Sequence, residues 1–398
     1  MTLANGREYL AIPGPSVIPD RVLQAMHRPS PNIYEGELID LTARVKTDLK
    51  EVAGTKHDVA IYIGNGHAAW EAALSNVVAP DEKVLVLSNG WFGKGWGEMG
   101  KGLGADVEVH DFGSDTVIDP AWLTARLAQD KDQTIKAVMV CQTDTSSSGR
   151  NDIPAVRKAI DEVGHPALLM VDCIASLGCD RYEMDAWGAD VTVAACQKGL
   201  MVPPGIGLVY FNEKAAEVRA KMPRVSRHWD WTPRAEPEFY YMNFNGTAPT
   251  LHLYGLREAL DMIMEEGLEA IFHRHAVLAR AIWAACDVWG SEGPMQLRIS
   301  DPANRSHSVT SLQIGAPLGS KLRAWTEANT GVTLGIGLGM STPDDPEGTG
   351  FFRIGHMGHV NAHMVLGALG AIDAGLKALG IPHAKGALEA ASEVVAAG

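Results

Sequence analysis

Val191-Thr192-Val193-Ala194-Ala195-Cys196-Gln197-Lys198-Gly199-Leu200-Met201-Val202-Pro203-Pro204-Gly205 is a short apolar run that meets a lysine and then breaks into a Gly- and Pro-rich loop. Val191–Cys196 reads as a strand buried on both faces, since it is short, apolar and without helical spacing. The proline pair and the glycine after it keep the chain from continuing as helix. Lys198 therefore stands at a strand end. Desolvation there lowers a lysine's pKa, which is what a lysine nucleophile needs. A side chain that snorkels out to water is the ordinary alternative.

Working outward, the same texture recurs. Lys83–Ser88, Lys136–Cys141, Ala167–Cys173 and Gly207–Phe211 are further short apolar runs bounded by polar residues or glycine. Helix-like stretches such as Asp152–Val163 lie between them, with apolar residues at helical spacing. Strand and helix in alternation predict an α/β domain with a mostly parallel sheet. Beyond about residue 250 the pattern becomes two long helices, Leu251–Glu266 and Leu268–Trp289. Two strand-like runs, Ser308–Ile314 and Phe351–Ile354, and an Ala-rich helical region follow. The expected division is a large domain over 16–260 and a small α+β domain over 261–398, with 1–15 packed on the latter because a short N-terminal arm otherwise frays.

Composition narrows the function. At 398 residues the chain exceeds one ordinary core, and 46% hydrophobic with 21% charged residues is a globular profile. A net charge of −14 argues against a nucleic-acid binder, whose phosphate contacts need clustered cations. It leaves room for an anionic small substrate, because a few local cations can dominate a pocket. The five cysteines show no metal-ligand spacing, so reduced thiols in a cytoplasmic protein and no metal are expected. The N-terminus has no basic and apolar leader, and no run approaches the ~20 apolar residues of a membrane helix, so no membrane association is expected.

Chemistry-bearing residues cluster where the runs end. Ile63-Gly64-Asn65-Gly66-His67-Ala68-Ala69-Trp70-Glu71 is a glycine-rich turn opening a helical pattern, suited to a phosphate; a plain tight turn accounts for it equally well. Trp91 and Phe92 follow the strand ending at Ser88 and can stack on a planar ring or simply pack. Asp144-Thr145-Ser146-Ser147-Ser148-Gly149 is a hydroxyl-rich loop, either ligand-binding or an ordinary turn. Asp172 terminates Leu169-Met170-Val171; a buried charge needs a partner, and a protonated pyridine nitrogen is one, with a helix cap as the bland alternative. From Asp172 to Lys198 is 26 residues, so anion and amine end successive runs. A phosphate cradle, an anion, a stacking ring and an amine are together what pyridoxal phosphate requires. Arg353, flanked by apolar residues, adds a planar fork that matches a carboxylate.

The residues also resemble a known family. GNGHAAWEAAL (64–74), SNGWFG (88–93), VDCIASLG (171–178), CQKGLMVPPG (196–205) and FRIGHMG (352–358), with the opening Ile12-Pro13-Gly14-Pro15-Ser16, are similar to class V, fold-type I aminotransferases. Within them the alanine–glyoxylate and serine–glyoxylate (serine–pyruvate) group is the nearest resemblance. The matches run in order through nearly the whole chain. The resemblance implies a seven-stranded sheet and a Lys198 that forms the internal aldimine and moves the proton between substrate Cα and C4′. Asp172 would hold the pyridinium proton, Phe92 would stack on the ring and Ile174 would cover its other face. Gly66, His67 and Gln197 would bind the phosphate, and Thr145 would bond near the ring hydroxyl. Thr247 would reach the phosphate of a neighbouring subunit, which implies a homodimer with shared sites. Arg353 would clamp the substrate carboxylate.

Two departures stand out: the segment at Asp144 is one residue longer than the family's E-[ST]-x-T-G, and Phe244 stands where relatives can carry a tyrosine. The implied reaction is a ping-pong transamination between a small amino acid (alanine, serine or aspartate) and an oxo acid such as glyoxylate or pyruvate. Relatives that use free pyridoxamine with pyruvate share the R-I-G-H-M-G segment, and class V lyases and desulfurases share the fold. A desulfurase needs a mobile nucleophilic cysteine, and none of the five lies in an evident late loop. A non-catalytic member would be expected to lose Lys198 or Asp172. The segment His228-Trp229-Asp230-Trp231 reads as an exposed loop near a subunit interface, or as packing.

Overall fold

In the computed structural model, which describes residues 2–398, the strands in chain order are β1 (Tyr9–Ala11), β2 (Asp58–Gly64), β3 (Lys83–Ser88), β4 (Asp106–Asp111), β5 (Ile135–Cys141) and β6 (Leu168–Asp172). They continue with β7 (Val191–Ala195), β8 (Gly205–Phe211), β9 (Gln296–Leu297), β10 (Val309–Gln313), β11 (Val332–Ile336) and β12 (Phe351–Gly355). Seven of them form one sheet in the order β2-β8-β7-β6-β5-β3-β4. Neighbours from β7 to β4 pair in parallel, and β8 runs antiparallel to both β2 and β7. The mostly parallel α/β reading therefore holds, with β8 as its exception.

Burial on both faces is what makes these strands continuous apolar runs. Alternate residues feed two cores. Leu85, Val138, Leu169 and Val171 point to one side, where the helices Glu37–Val52, Pro120–Gln129, Ile153–Glu162 and Thr250–Glu266 contribute. Val84, Val86, Met139 and Met170 point to the other, against the helix Gly66–Val77 and Trp96. Removing one such side chain, as in Leu169→Ala, costs about 2–5 kcal/mol. The edge strand β4 is only half covered, so Val107 and Val109 alternate with Glu108 and His110.

The remaining strands make a second sheet, β1-β11-β12-β10-β9, antiparallel except that β1 lies parallel to β11. Its third core includes Ile282, Trp289, Phe352, Leu369 and Ala391, from the helices Leu268–Ser291, Ala362–Ala378 and Ala387–Ala397 and from the sheet itself. Two reversals place the site. Because β8 is antiparallel to both β2 and β7, β2 is parallel to the rest, and the carboxyl ends of β2, β3, β5, β6 and β7 open at one edge of the large sheet. Ligands of open α/β sheets bind outside such an edge. Among the described residues, no helix is long and apolar enough to cross a membrane.

Candidate active site

At that edge the loops after five strands enclose a cavity lined by Asn65, Gly66, His67, Trp70, Phe92, Thr143, Thr145, Asp172, Ile174, Ala175, Gln197 and Lys198. A larger and more open groove lies elsewhere, beside Arg7, Asp20, His359 and His363; its Arg7 and Asp20 pair with each other at 2.7 Å. Open, paired charges of that kind are ordinary surface, so the chemistry belongs to the smaller cavity.

Asp172 closes β6 and is buried. One carboxylate oxygen accepts the Ile174 N–H at 2.7 Å, and the other accepts the Trp70 indole N–H at 2.8 Å. The Ile174 bond closes a local turn, and no helix follows β6, so the helix-cap alternative for this aspartate does not hold. Burial pushes its pKa up to about 7, the two hydrogen bonds oppose this, and no cation is among its main influences. A carboxyl so placed lacks the positive partner that would hold it ionised.

Lys198 lies in the turn after β7, the strand next to β6, and lines the same cavity. It is half-buried by area, with its amine set deep against the chain's N-terminal segment. The amine donates to the carbonyl of Pro13. Ser16 ties that segment down: its N–H donates to the Gln197 carbonyl at 2.9 Å and its hydroxyl to the Lys198 carbonyl at 2.6 Å. Desolvation lowers the Lys198 pKa to about 8, and the nearby charge of Arg353 acts in the same direction. The amine thus gives up its proton far more readily than an ordinary lysine's.

The glycine-rich turn does open a helix, with the Asn65 side chain accepting from the His67 and Ala68 N–H groups at 3.1 and 3.4 Å. A Cβ on Gly66 would stand 2.5 Å from the Ile174 side chain, so only glycine lets the helix start approach that wall. Phe92 follows β3 at the start of the helix Trp91–Gly102; the buried Asp144 caps that helix, accepting from Phe92 N at 2.8 Å and Gly93 N at 3.0 Å. Two cavity-lining oxygens, Gln197 Oε1 and Thr143 Oγ1, are buried without a partner.

Arg353 lies in β12 of the small sheet, 5% exposed. It donates from Nε to the Ile336 carbonyl at 2.7 Å and from Nη1 to the Thr145 carbonyl at 2.9 Å. Thr145 therefore carries the cavity on one side and the guanidinium on the other. Burial lowers the Arg353 pKa to about 10, with Asp144 acting against it. Both its named bonds go to neutral carbonyls, so its charge is left to be answered by an anion.

Nine of the ten residues singled out in the sequence are thus gathered at one edge: Gly66, His67, Phe92, Thr145, Asp172, Ile174, Gln197 and Lys198 line the cavity and Arg353 backs it. Thr247 is not among them; it is exposed, outside the cavity of its own chain. Phe244 is buried in the core beside Tyr240. In the tryptophan segment His228 is exposed, whereas Trp231 is fully buried and stacks on Phe211 with centroids 4.3 Å apart, so the packing alternative holds for Trp231. Thr143 lies outside every segment singled out in the sequence, while Asn65, Trp70 and Ala175 lie within such segments without having been given a role. Trp70 had no distinguishing signal, because an indole on the apolar face of a helix reads as packing whether or not its N–H has a partner.

Comparison with known proteins bears on this arrangement. Residues 8–324 match the family model described as aminotransferase class-V. The serine–glyoxylate aminotransferase of Methylorubrum extorquens is 37% identical over 92% of this chain and 90% of its own length. The L-aspartate–glyoxylate aminotransferase of Paracoccus denitrificans is 31% identical over 96% and 94%. The crystal structure of pyridoxamine–pyruvate aminotransferase from Mesorhizobium loti superimposes with a TM-score of 0.88 at 25% identity, covering 100% of both chains.

The residues present fit the cofactor of such enzymes. Asp172 wants a cation, the ring-nitrogen proton; Lys198 offers a neutral amine; Gln197 and Thr143 hold spare acceptors; and Gly66 leaves room at a helix start. On sequence and fold alike, the chain belongs to the class V aminotransferases, which work with pyridoxal 5′-phosphate.

Proposed function

We propose that this enzyme moves the amino group of a small L-amino acid (serine, alanine or aspartate) to a 2-oxo acid such as glyoxylate or pyruvate. The observation that carries this is the convergence on one cavity of a neutralisable amine, a carboxyl without a cation and a guanidinium without a carboxylate. The names of the serine–glyoxylate and L-aspartate–glyoxylate relatives supply the substrate class. Bound pyridoxal phosphate supplies an electron sink for the pair of the substrate's Cα–H bond. Lys198 Nζ would be the amine that holds the cofactor and, once free, the base that takes the substrate's Cα proton and delivers it to C4′. Asp172 would keep the ring nitrogen protonated. Phe92 and Ile174 would flank the ring, Thr145 would serve its hydroxyl, and Gly66, His67 and Gln197 would hold the phosphate. Arg353 orients the substrate through its carboxylate.

The same reading assigns Thr247 to the phosphate site of a second copy, making a homodimer with two shared sites. Its support is that Thr247 is exposed near side chains a monomer would leave in water, Phe239 (54% exposed) and Tyr241 (45%). It divides the chain into working domains 16–260 and 261–398, with 1–15 carried on the second. The cytoplasm is the proposed compartment, supported by five free, buried cysteines. Burial of all five also weighs against a desulfurase, which needs a mobile thiol at the surface of its site.

The test is to add L-serine, L-alanine and L-aspartate separately to the cofactor-loaded protein without an acceptor. One donor should bleach the visible band and release one oxo acid per site. If none does, the amino-acid reading fails. The Mesorhizobium loti likeness motivates a second reading, in which free pyridoxamine is the donor. Turnover of pyridoxamine with pyruvate by cofactor-free protein would establish it.

A further inference from the structure

We infer that Trp70 is a positioning residue for the reaction, its indole N–H holding Asp172 ionised and aimed at the cofactor's ring nitrogen. The inference rests on the reading of Asp172 given above. Trp70 is 2% exposed, lies in the helix Gly66–Val77 and lines the same cavity as Asp172. Its Nε1 donates to Asp172 at 2.8 Å, both side chains being buried. The ring is held from several sides: Trp96 is stacked at 6.1 Å and 15°, while His67 at 4.7 Å and Phe92 at 6.2 Å meet it edge-on. An indole so confined cannot swing its N–H elsewhere.

The carboxylate needs that donor. Burial of an aspartate favours its neutral form, and Asp144 on the loop after β5 pushes the same way. Opposing them are the Ile174 N–H on its own turn, the Trp70 N–H from the facing helix, and the Cys141 thiol of β5, a weak donor with Sγ at 3.8 Å. Lys198, in the loop after β7, is the nearby cation, and it is itself partly neutral. Cys173 adds no donor of note. Trp70 is therefore the one side-chain N–H among the groups that favour the charged form. It fixes one oxygen while Ile174 fixes the other, leaving the carboxylate a single orientation. A protonated Asp172 could not stabilise a pyridinium, and a freely rotating one would hold it poorly.

The consequence is testable with Trp70→Phe, which keeps an aromatic ring but loses the N–H. A second variant carries β-(3-benzothienyl)alanine at position 70, a tryptophan isostere with sulfur in place of N–H, and so preserves the packing if phenylalanine does not. The readouts are the cofactor dissociation constant, the pH titration of the bound cofactor's spectrum, and kcat against KM. Loss of a hydrogen bond to a charged group corresponds to about one pH unit, or tenfold in the equilibrium. Both variants should therefore bind the cofactor about tenfold more weakly, with the spectral titration moved by about one unit. kcat should fall while the KM for the amino acid stays within about twofold.

A folded isostere variant with wild-type affinity and an unmoved titration would show that Trp70 only packs, and would overturn the proposal. If the wild-type protein itself bound no pyridoxal phosphate, the reading of Asp172 would fail first, and that result is separable from the comparison of variants.

Discussion

Gly14 offers a sharp test of how the N-terminal segment serves Lys198. Its φ of 103° lies where an alanine pays about 1–2 kcal/mol, and a Cβ built there would stand 2.6 Å from both Cδ and Cε of Lys198. Ordinary contact begins at 3.4 Å, so either the lysine or the segment must retreat by about 1 Å. The lysine is the softer of the two, because Ser16 pins the segment through its bonds to the Gln197 and Lys198 carbonyls. A misplacement of about 1 Å at a reacting group costs on the order of 100-fold in rate. Gly14→Ala should accordingly lose about 100-fold in kcat while its unfolding free energy falls by no more than about 2 kcal/mol. Steady-state transamination and denaturant unfolding of the same preparation measure both. A variant with wild-type kcat would refute the claim that this segment sets the position of the amine. One that failed to fold would show the strain to be global rather than local.

Arg353→Lys keeps the charge but not the fork, and it should cost about 10–100-fold in kcat/KM for the amino acid with the cofactor spectrum unchanged; equal loss of cofactor would point to a structural arginine instead. The lowered pKa of Lys198, about 8, sets a pH dependence of known sign. Only the neutral amine attacks, so the rate at which apo-protein takes up pyridoxal phosphate should rise about tenfold per pH unit up to about 8 and level off above it. A rate that fell from pH 7 to 8, or did not change, would remove Lys198 as the nucleophile. The same shift bears on stability. Between about 8 and 10.5 the unfolded lysine binds more protons than the folded one, so this residue's contribution favours the folded apo-protein increasingly as pH rises across that window.

The architecture was legible where physics leaves a one-dimensional trace. Strands covered on both faces must be apolar throughout, so β3, β5, β6, β7 and β8 announce themselves, and a charged residue at the end of one is conspicuous. That is why Asp172 and Lys198 stand out. Strand β4 announces itself less, because neither of its faces is fully covered and Glu108 and His110, half-buried beside Arg126 and Trp122, interrupt the run. What the sequence withholds is long-range contact. Nothing local tells that Pro13 meets Lys198 across 185 residues, or that the Trp70 N–H finds Asp172 across 102. Trp231 misled for a related reason: its polar neighbours suggest a surface loop, yet the segment tucks the indole under Phe211 while leaving His228 outside. Thr143 was invisible because a buried hydroxyl without a partner differs from a satisfied one only in three dimensions.

The central claim is that one particular lysine carries the cofactor. Its direct test is to load the protein with pyridoxal 5′-phosphate, reduce with borohydride, digest, and map the modified peptide by mass spectrometry. The account predicts one pyridoxyl group per chain, on Lys198 and on no other lysine, with the label absent from Lys198→Ala. A label on a different lysine, or none at all in protein that has bound the cofactor, would contradict it.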